Sequence, residues 1–126
     1  MESERKTEYA GYILVVEKDD LIADLLDCWL AEAGYTVVAG TYEMRRREDE
    51  PRLVIANLSS PRGAEALIHA LQAVYSAPIL ALSARFRAGL GSSLEAAQRL
   101  GVTKVLPKPF SRNELLGAVR ECMNSP

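Results

Sequence analysis

Short apolar runs alternate with amphipathic stretches along this chain. Residues 12–16 (YILVV) are continuously apolar and bounded by charge, which suits a strand buried on both faces. Asp20 is placed to cap a helix with Ile22, Leu25, Leu26, Trp29, Leu30 and Ala33 at helical spacing, and Gly34 supplies its stop. Residues 36–39 (TVVA) read as a second strand. Residues 42–50 are short and charged, a weak second helix ended by Pro51. Residues 53–56 (LVIA) give a third strand, and Pro61 and Gly63 a turn. Residues 64–74 form a helix with Leu67, Ile68, Leu71 and Val74 inward. Residues 78–82 (PILAL) are a fourth strand, and 85–91 a glycine-containing loop. Ser92 to Glu95 has the form of a capping box and opens a short helix ending at Gly101. Residues 102–106 are a fifth strand. A second capping box, Ser111 to Glu114, opens a last helix with Leu115, Leu116, Val119, Cys122 and Met123 inward.

Strand and helix alternate five times. That predicts a doubly wound, five-stranded parallel sheet with helices on both faces. Right-handed crossovers leave few windings, and the order 2-1-3-4-5 is the common one. In such a sheet, chemistry gathers beyond the carboxyl ends of the first and third strands. Glu17, Lys18, Asp19 and Asn57 stand there. Residues 1–10, charged at the start, read as a disordered leader, and 11–126 as one domain, in keeping with the 126-residue length.

Composition narrows the function. The net charge is -2, and the one basic run, Arg45 to Arg47, is followed at once by Glu48, Asp49 and Glu50. Neither feature suits nucleic acid as a partner, which calls for a surplus of cations. The apolar runs fall far short of a membrane span, and the leader lacks an apolar signal core. Cys28 and Cys122 sit in helical patterns without metal spacing, as expected of reduced thiols in a cytoplasmic protein. His69 lies in a helix without a partner at metal spacing and reads as a surface residue. Trp29 reads as core.

Four segments carry a family resemblance. ILVVEKDDLIADLL resembles the first strand and helix of the receiver domain of bacterial two-component response regulators. RLVIANLSSP resembles the third strand, PILALSA the fourth and LPKPF the fifth. The resemblance spans about residues 11–124 and implies the flavodoxin-like fold, a non-enzymatic switch phosphorylated on aspartate by a histidine kinase with Mg²⁺. Position by position, Glu17 fits the first acidic residue and Ser83 the hydroxyl that contacts the phosphoryl group. Lys108 fits the pairing lysine, and Pro109 a proline whose preceding bond is often cis. Lys18, however, stands where the main metal-binding aspartate belongs, Asn57 where the phosphoacceptor belongs, and Val105 where a reporting Tyr or Phe belongs. The stretch between Lys18 and Asn57 is shorter than usual, and the loop after Ser83 longer.

These departures bear on the chemistry. An amide is a poor nucleophile, and Mg²⁺ prefers carboxylate oxygen. Lys18 and Asn57 shift the local charge by about +3 relative to the family, more than the absent metal would bring. Lys18 is therefore expected to pair with Glu17 or Asp19, with solvent as its other destination. The resemblance then implies a degenerate receiver with no bound cofactor, acting through protein contacts. Its partners would be a histidine kinase or another regulator, or a second copy through the fourth helix (from Ser92), the fifth strand and the last helix. Two other functions remain open at this point. One is a small-anion sensor using the loop 89–93 (GLGSS), with Gly89, Gly91 and Ser93 before a helix. The other is a phosphoacceptor using Asp19 or Ser59.

Overall fold

The computed structural model describes residues 11–40, 50–58, 61–83 and 93–124. The leader 1–10, the segment of the weak second helix (41–49), Ser59 and most of the loop after Ser83 lie outside the described residues.

The strands are β1 (Ile13–Val16), β2 (Val37–Gly40), β3 (Leu53–Leu58), β4 (Ile79–Ser83) and β5 (Lys104–Pro107). The helices are α1 (Asp20–Glu32), α2 (Pro61–Val74), α3 (Ser93–Leu100) and α4 (Arg112–Asn124). All strand pairs are parallel, and the order is β2-β1-β3-β4-β5, the winding that the strand–helix alternation predicts.

Side chains alternate across a strand, and here the alternation divides the core into two layers. Ile13 and Val15 of β1, with Leu53 and Ile55 of β3, pack against Leu26 and Leu30 of α1 and Leu115, Val119 and Cys122 of α4. Leu14 and Val16, with Val54 and Ala56, pack on the other face against Ile68 and Leu71 of α2 and Ala97 of α3. A strand covered on both sides has no place for polar residues, which is why YILVV and LVIA are continuous apolar runs.

Several local expectations shift. Asp19, not Asp20, caps α1: its Oδ1 accepts from the Leu21 and Ile22 N–H groups at 2.9 and 3.3 Å. A carboxylate one residue earlier meets two of the unpaired N–H groups of the first turn, and Asp20 becomes the first helical residue. Leu26 and Leu30 face the core, but Ile22 and Leu25 are exposed, as is Leu21 at 80%. At ~100° per residue, Leu21 and Leu25 point well away from the face that Leu26 and Leu30 define. Ile22 is on that face but one turn nearer the helix start, outside the buried part. Trp29 packs at the core margin.

Gly34 ends α1 as expected. Its φ of +99° suits glycine, and Tyr35 N–H reaches back to Leu30 O at 3.0 Å while Gly34 N–H reaches Ala31 O. Pro61 and Gly63 lie in the first turn of α2 rather than before it, a place where proline costs nothing because its missing N–H has no helical acceptor. The third and fourth strands each run further toward their carboxyl ends than expected, to Leu58 and Ser83, so Asn57 and Ser83 are strand residues. The box at Ser111 is present in full: Glu114 N–H donates to Ser111 Oγ at 3.0 Å, and Ser111 N–H to Glu114 Oε1 at 2.8 Å.

Candidate functional site

The strand register assembles the site. Val16 pairs with Ala56, so Glu17 and Asn57 are the next pair along adjacent strands and project on the same side. Leu58 pairs with Ser83 and Ser83 with Pro107, which brings Lys108 to the same edge of the sheet. Lys108 N–H donates to Ser83 O at 3.0 Å, tying the end of β5 to β4, and the Lys108–Pro109 bond is cis. Four strands thus present Glu17, Asn57, Ser83 and Lys108 along one carboxyl-terminal rim.

The residues of that rim differ in their surroundings. Ser83 is fully buried. Glu17, Asn57 and Lys108 are half-buried. One oxygen of Glu17, Oε2, accepts the Asp19 N–H at 2.9 Å. The other, Oε1, is buried with no hydrogen-bond partner among the described residues, and so is Asn57 Oδ1. Buried acceptors without donors are uncommon, because each has lost its water without replacement.

Lys18 does not fill that gap. It is exposed, and among the described residues it makes no ion pair with Glu17 or Asp19, contrary to the internal pairing expected from charge. Glu17 and Asp19 spend carboxylate oxygens on backbone N–H groups in the turn into α1, and the lysine between them faces water. An ammonium on a flexible stem loses little by staying there.

Val105 is buried at 1% exposure, on the α2 and α3 side of the sheet with Ala81, its register partner. Ser83 lies two residues beyond Ala81 and so projects on that side as well. Ser59 and the loop from Gly89 through Gly91 lie outside the described residues; Ser93 opens α3. His69 is exposed. Cys28 is exposed and Cys122 buried, both free. Burial pushes the Cys122 thiol up to about 11, and the hydrogen bond to Glu32 raises that of Cys28. The two unpartnered oxygens are what sequence reasoning missed. Only the register, which sets Glu17 beside Asn57, reveals them as a pair.

The fold agrees with known proteins. The chain resembles a two-component response regulator from Clostridium difficile, with a TM-score of 0.70 and 20% identity over 91% of this chain and 99% of that one. It also resembles the receiver domain of the sensor histidine kinase PA1611 from Pseudomonas aeruginosa, with a TM-score of 0.68 and 21% identity over 91% and 98% of the two chains. The fold is that of receiver domains. In sequence, the chain is 36% identical over 110 residues to YrkP, a transcriptional regulatory protein of Bacillus subtilis described as uncharacterized. The match covers 82% of this chain and 45% of YrkP, so the chain spans under half the length of that relative. No protein-family model matches the chain. Among its described residues, no helix is long and apolar enough to cross a membrane.

Proposed function

We propose that this receiver domain is degenerate: it belongs to two-component signalling but is not phosphorylated, and it acts by binding proteins. The observation that carries this reading is Asn57, an amide at the position in β3 where the resemblance implies the acceptor aspartate. An amide oxygen carries no charge and attacks phosphorus poorly.

The metal that such chemistry needs fits poorly here. The PA1611 receiver domain holds a magnesium ion in its active-site cleft. Mg²⁺ asks for near-octahedral oxygen coordination and is usually met by carboxylates. This rim offers one carboxylate oxygen, Glu17 Oε1, and one amide oxygen, Asn57 Oδ1. Asp19 Oδ1 is committed to the helix cap, and Lys18 stands where the resemblance implies a ligand. No group of three acidic, histidine or cysteine side chains suited to a metal occurs among the described residues. Between them, Glu17 and Asn57 therefore supply a single charge against a dication.

The partners in this reading are a histidine kinase or another regulator, and a second copy through the face of α3, β5 and α4. The likeness to YrkP, named a transcriptional regulatory protein, supports a place in a regulatory pathway. Treatment with acetyl phosphate and Mg²⁺, followed by intact-mass measurement, tests the proposal. The expected result is no added phosphate. A stoichiometric, acid-labile phosphoryl group on any residue overturns it, and mapping to Asp19 or Ser59 would identify a substitute acceptor.

A further inference from the structure

The outward side of α4 carries a glycine that the chain itself does not call for. Gly117 lies inside this helix, and its φ is not in the left-handed region. A Cβ built on it would meet nothing within 4 Å among the described residues. Glycine inside a helix is unfavourable relative to alanine, because it gives up more backbone freedom. Neither backbone geometry nor packing within the chain offsets that loss. At ~100° per residue, Gly117 stands at the middle of the face turned away from Leu115, Val119 and Cys122. Around it are Asn113, Glu114, Arg120 and Glu121, all exposed.

The charges on this face are arranged symmetrically about the glycine. Glu114 stands three residues before Gly117 and Arg120 three residues after it. A two-fold axis through Gly117, perpendicular to the helix, exchanges the two positions. In an antiparallel pair of α4 helices it sets Glu114 of each copy opposite Arg120 of the other. By the same symmetry Asn113 faces Glu121, whose carboxylate also holds Lys104 at 3.0 Å. Arg120 makes no ion pair among the described residues. Glu114 gives Oε1 to the Ser111 N–H, which leaves Oε2. The exposed side of α1 lacks this property: Asp20, Asp24 and Asp27 share one sign, so a second α1 would be repelled.

We propose that two copies of this chain associate by crossing their α4 helices antiparallel at Gly117, with reciprocal Glu114–Arg120 ion pairs. The proposal rests on the reading that a second copy is a partner, and it assigns the centre and register of that contact. The glycine lets the two backbones approach where a side chain would hold them apart. Such an interface is isologous, so each favourable pair is made twice. Exposed ion pairs contribute little each, and the dimer is accordingly weak.

The test is sedimentation equilibrium of the full chain, up to roughly millimolar protein. A monomer–dimer equilibrium weakened at least roughly tenfold by Arg120→Glu supports the crossing. The Arg120→Glu and Glu114→Arg proteins, each repelled as a homodimer, should associate when mixed, because every pair across the axis then sets an acid against an arginine. Gly117→Ala should abolish the dimer while raising the urea midpoint of the monomer, since alanine favours the helix. Loss of folding therefore does not account for the loss of association. Glu114→Arg gives up the bond from the Ser111 N–H, so its own urea midpoint is measured before mixing. Glu114→Gln, which keeps an acceptor there, should weaken the dimer with the cap intact. No association on mixing the two folded charge variants overturns the register. A dimer that survives both Gly117→Ala and Arg120→Glu overturns the crossing, and leaves the second-copy reading standing on another part of the α3, β5 and α4 face. A chain that is monomeric at every concentration overturns both.

Discussion

Glu17 and Asn57 occupy equivalent positions one residue beyond the Val16–Ala56 pair, and each ends in a buried oxygen without a donor. The resemblance implies an acceptor aspartate at the second of these positions and an acidic residue at the first. Here they share one negative charge, and the predictions about phosphorylation follow from that difference.

Asn57→Asp alone is expected to restore phosphorylation poorly. It returns a nucleophile and a second charge, but the position of Lys18 still contributes no ligand. Because Lys18 faces solvent, its effect is a missing carboxylate more than repulsion from inside the pocket. The double change Lys18→Asp with Asn57→Asp should accumulate roughly tenfold more acid-labile phosphate from acetyl phosphate with Mg²⁺ than the single change. Equal phosphate on the two variants would show that position 18 is irrelevant.

The Asp19 cap should be measurable in stability. Its Oδ1 accepts two N–H groups at the start of α1, and removing such a cap costs about 1 kcal/mol. Asp19→Ala should lower the urea midpoint accordingly with an unchanged slope, and Asp19→Asn should retain most of the stability. An alanine variant as stable as the parent would show that the cap contributes nothing.

The two thiols should differ in reaction and in pH dependence. Cys122 is buried with its pKa raised to about 11, whereas an unfolded cysteine ionises near 9.0. The folded state thus disfavours the thiolate. Its contribution to stability is complete below pH 9 and is lost as pH rises toward 11. Cys122→Ala should flatten the stability curve in that window, even though it removes core volume. Iodoacetamide should label Cys28 alone in the folded protein, and Glu32→Gln should speed that labelling, because the Glu32 hydrogen bond holds the thiol protonated. Rapid labelling of Cys122 without denaturant would contradict its burial.

Val105 leaves no ring to report on Ser83, and it is packed at 1% exposure. The domain should therefore rest in one dominant conformation, since a switch needs an input that favours one state. Relaxation dispersion should show no shared microsecond-to-millisecond exchange spanning residues 83–110. A common rate across that span would reveal a surviving concerted switch. Val105→Tyr should not create one. It should cost about 1–3 kcal/mol by overpacking a filled core.

Much of this architecture is written in local pattern. Continuous apolar runs such as YILVV and LVIA specify strands covered on both faces, because burial on both sides excludes polar residues. The box at Ser111 and the glycine at 34 mark helix ends through backbone groups only a few residues away, and both were legible. The departures proposed at Lys18, Asn57 and Val105 rest on residue identity at positions matched by resemblance. Tertiary structure decided what depends on direction and neighbours. Whether Asp19 or Asp20 caps α1 turns on one residue's backbone geometry. Ile22 and Leu25 satisfy helical spacing, yet the sheet beneath α1 covers only Leu26 and Leu30, so periodicity overstated the buried face. Charge alone favoured an internal partner for Lys18, but the turn gave carboxylate oxygens of both its neighbours to backbone N–H groups. The unpartnered oxygens of Glu17 and Asn57 belong to residues 40 positions apart in the chain. Only strand pairing sets them side by side, because a hydrogen bond left unmade is a property of the assembled surroundings.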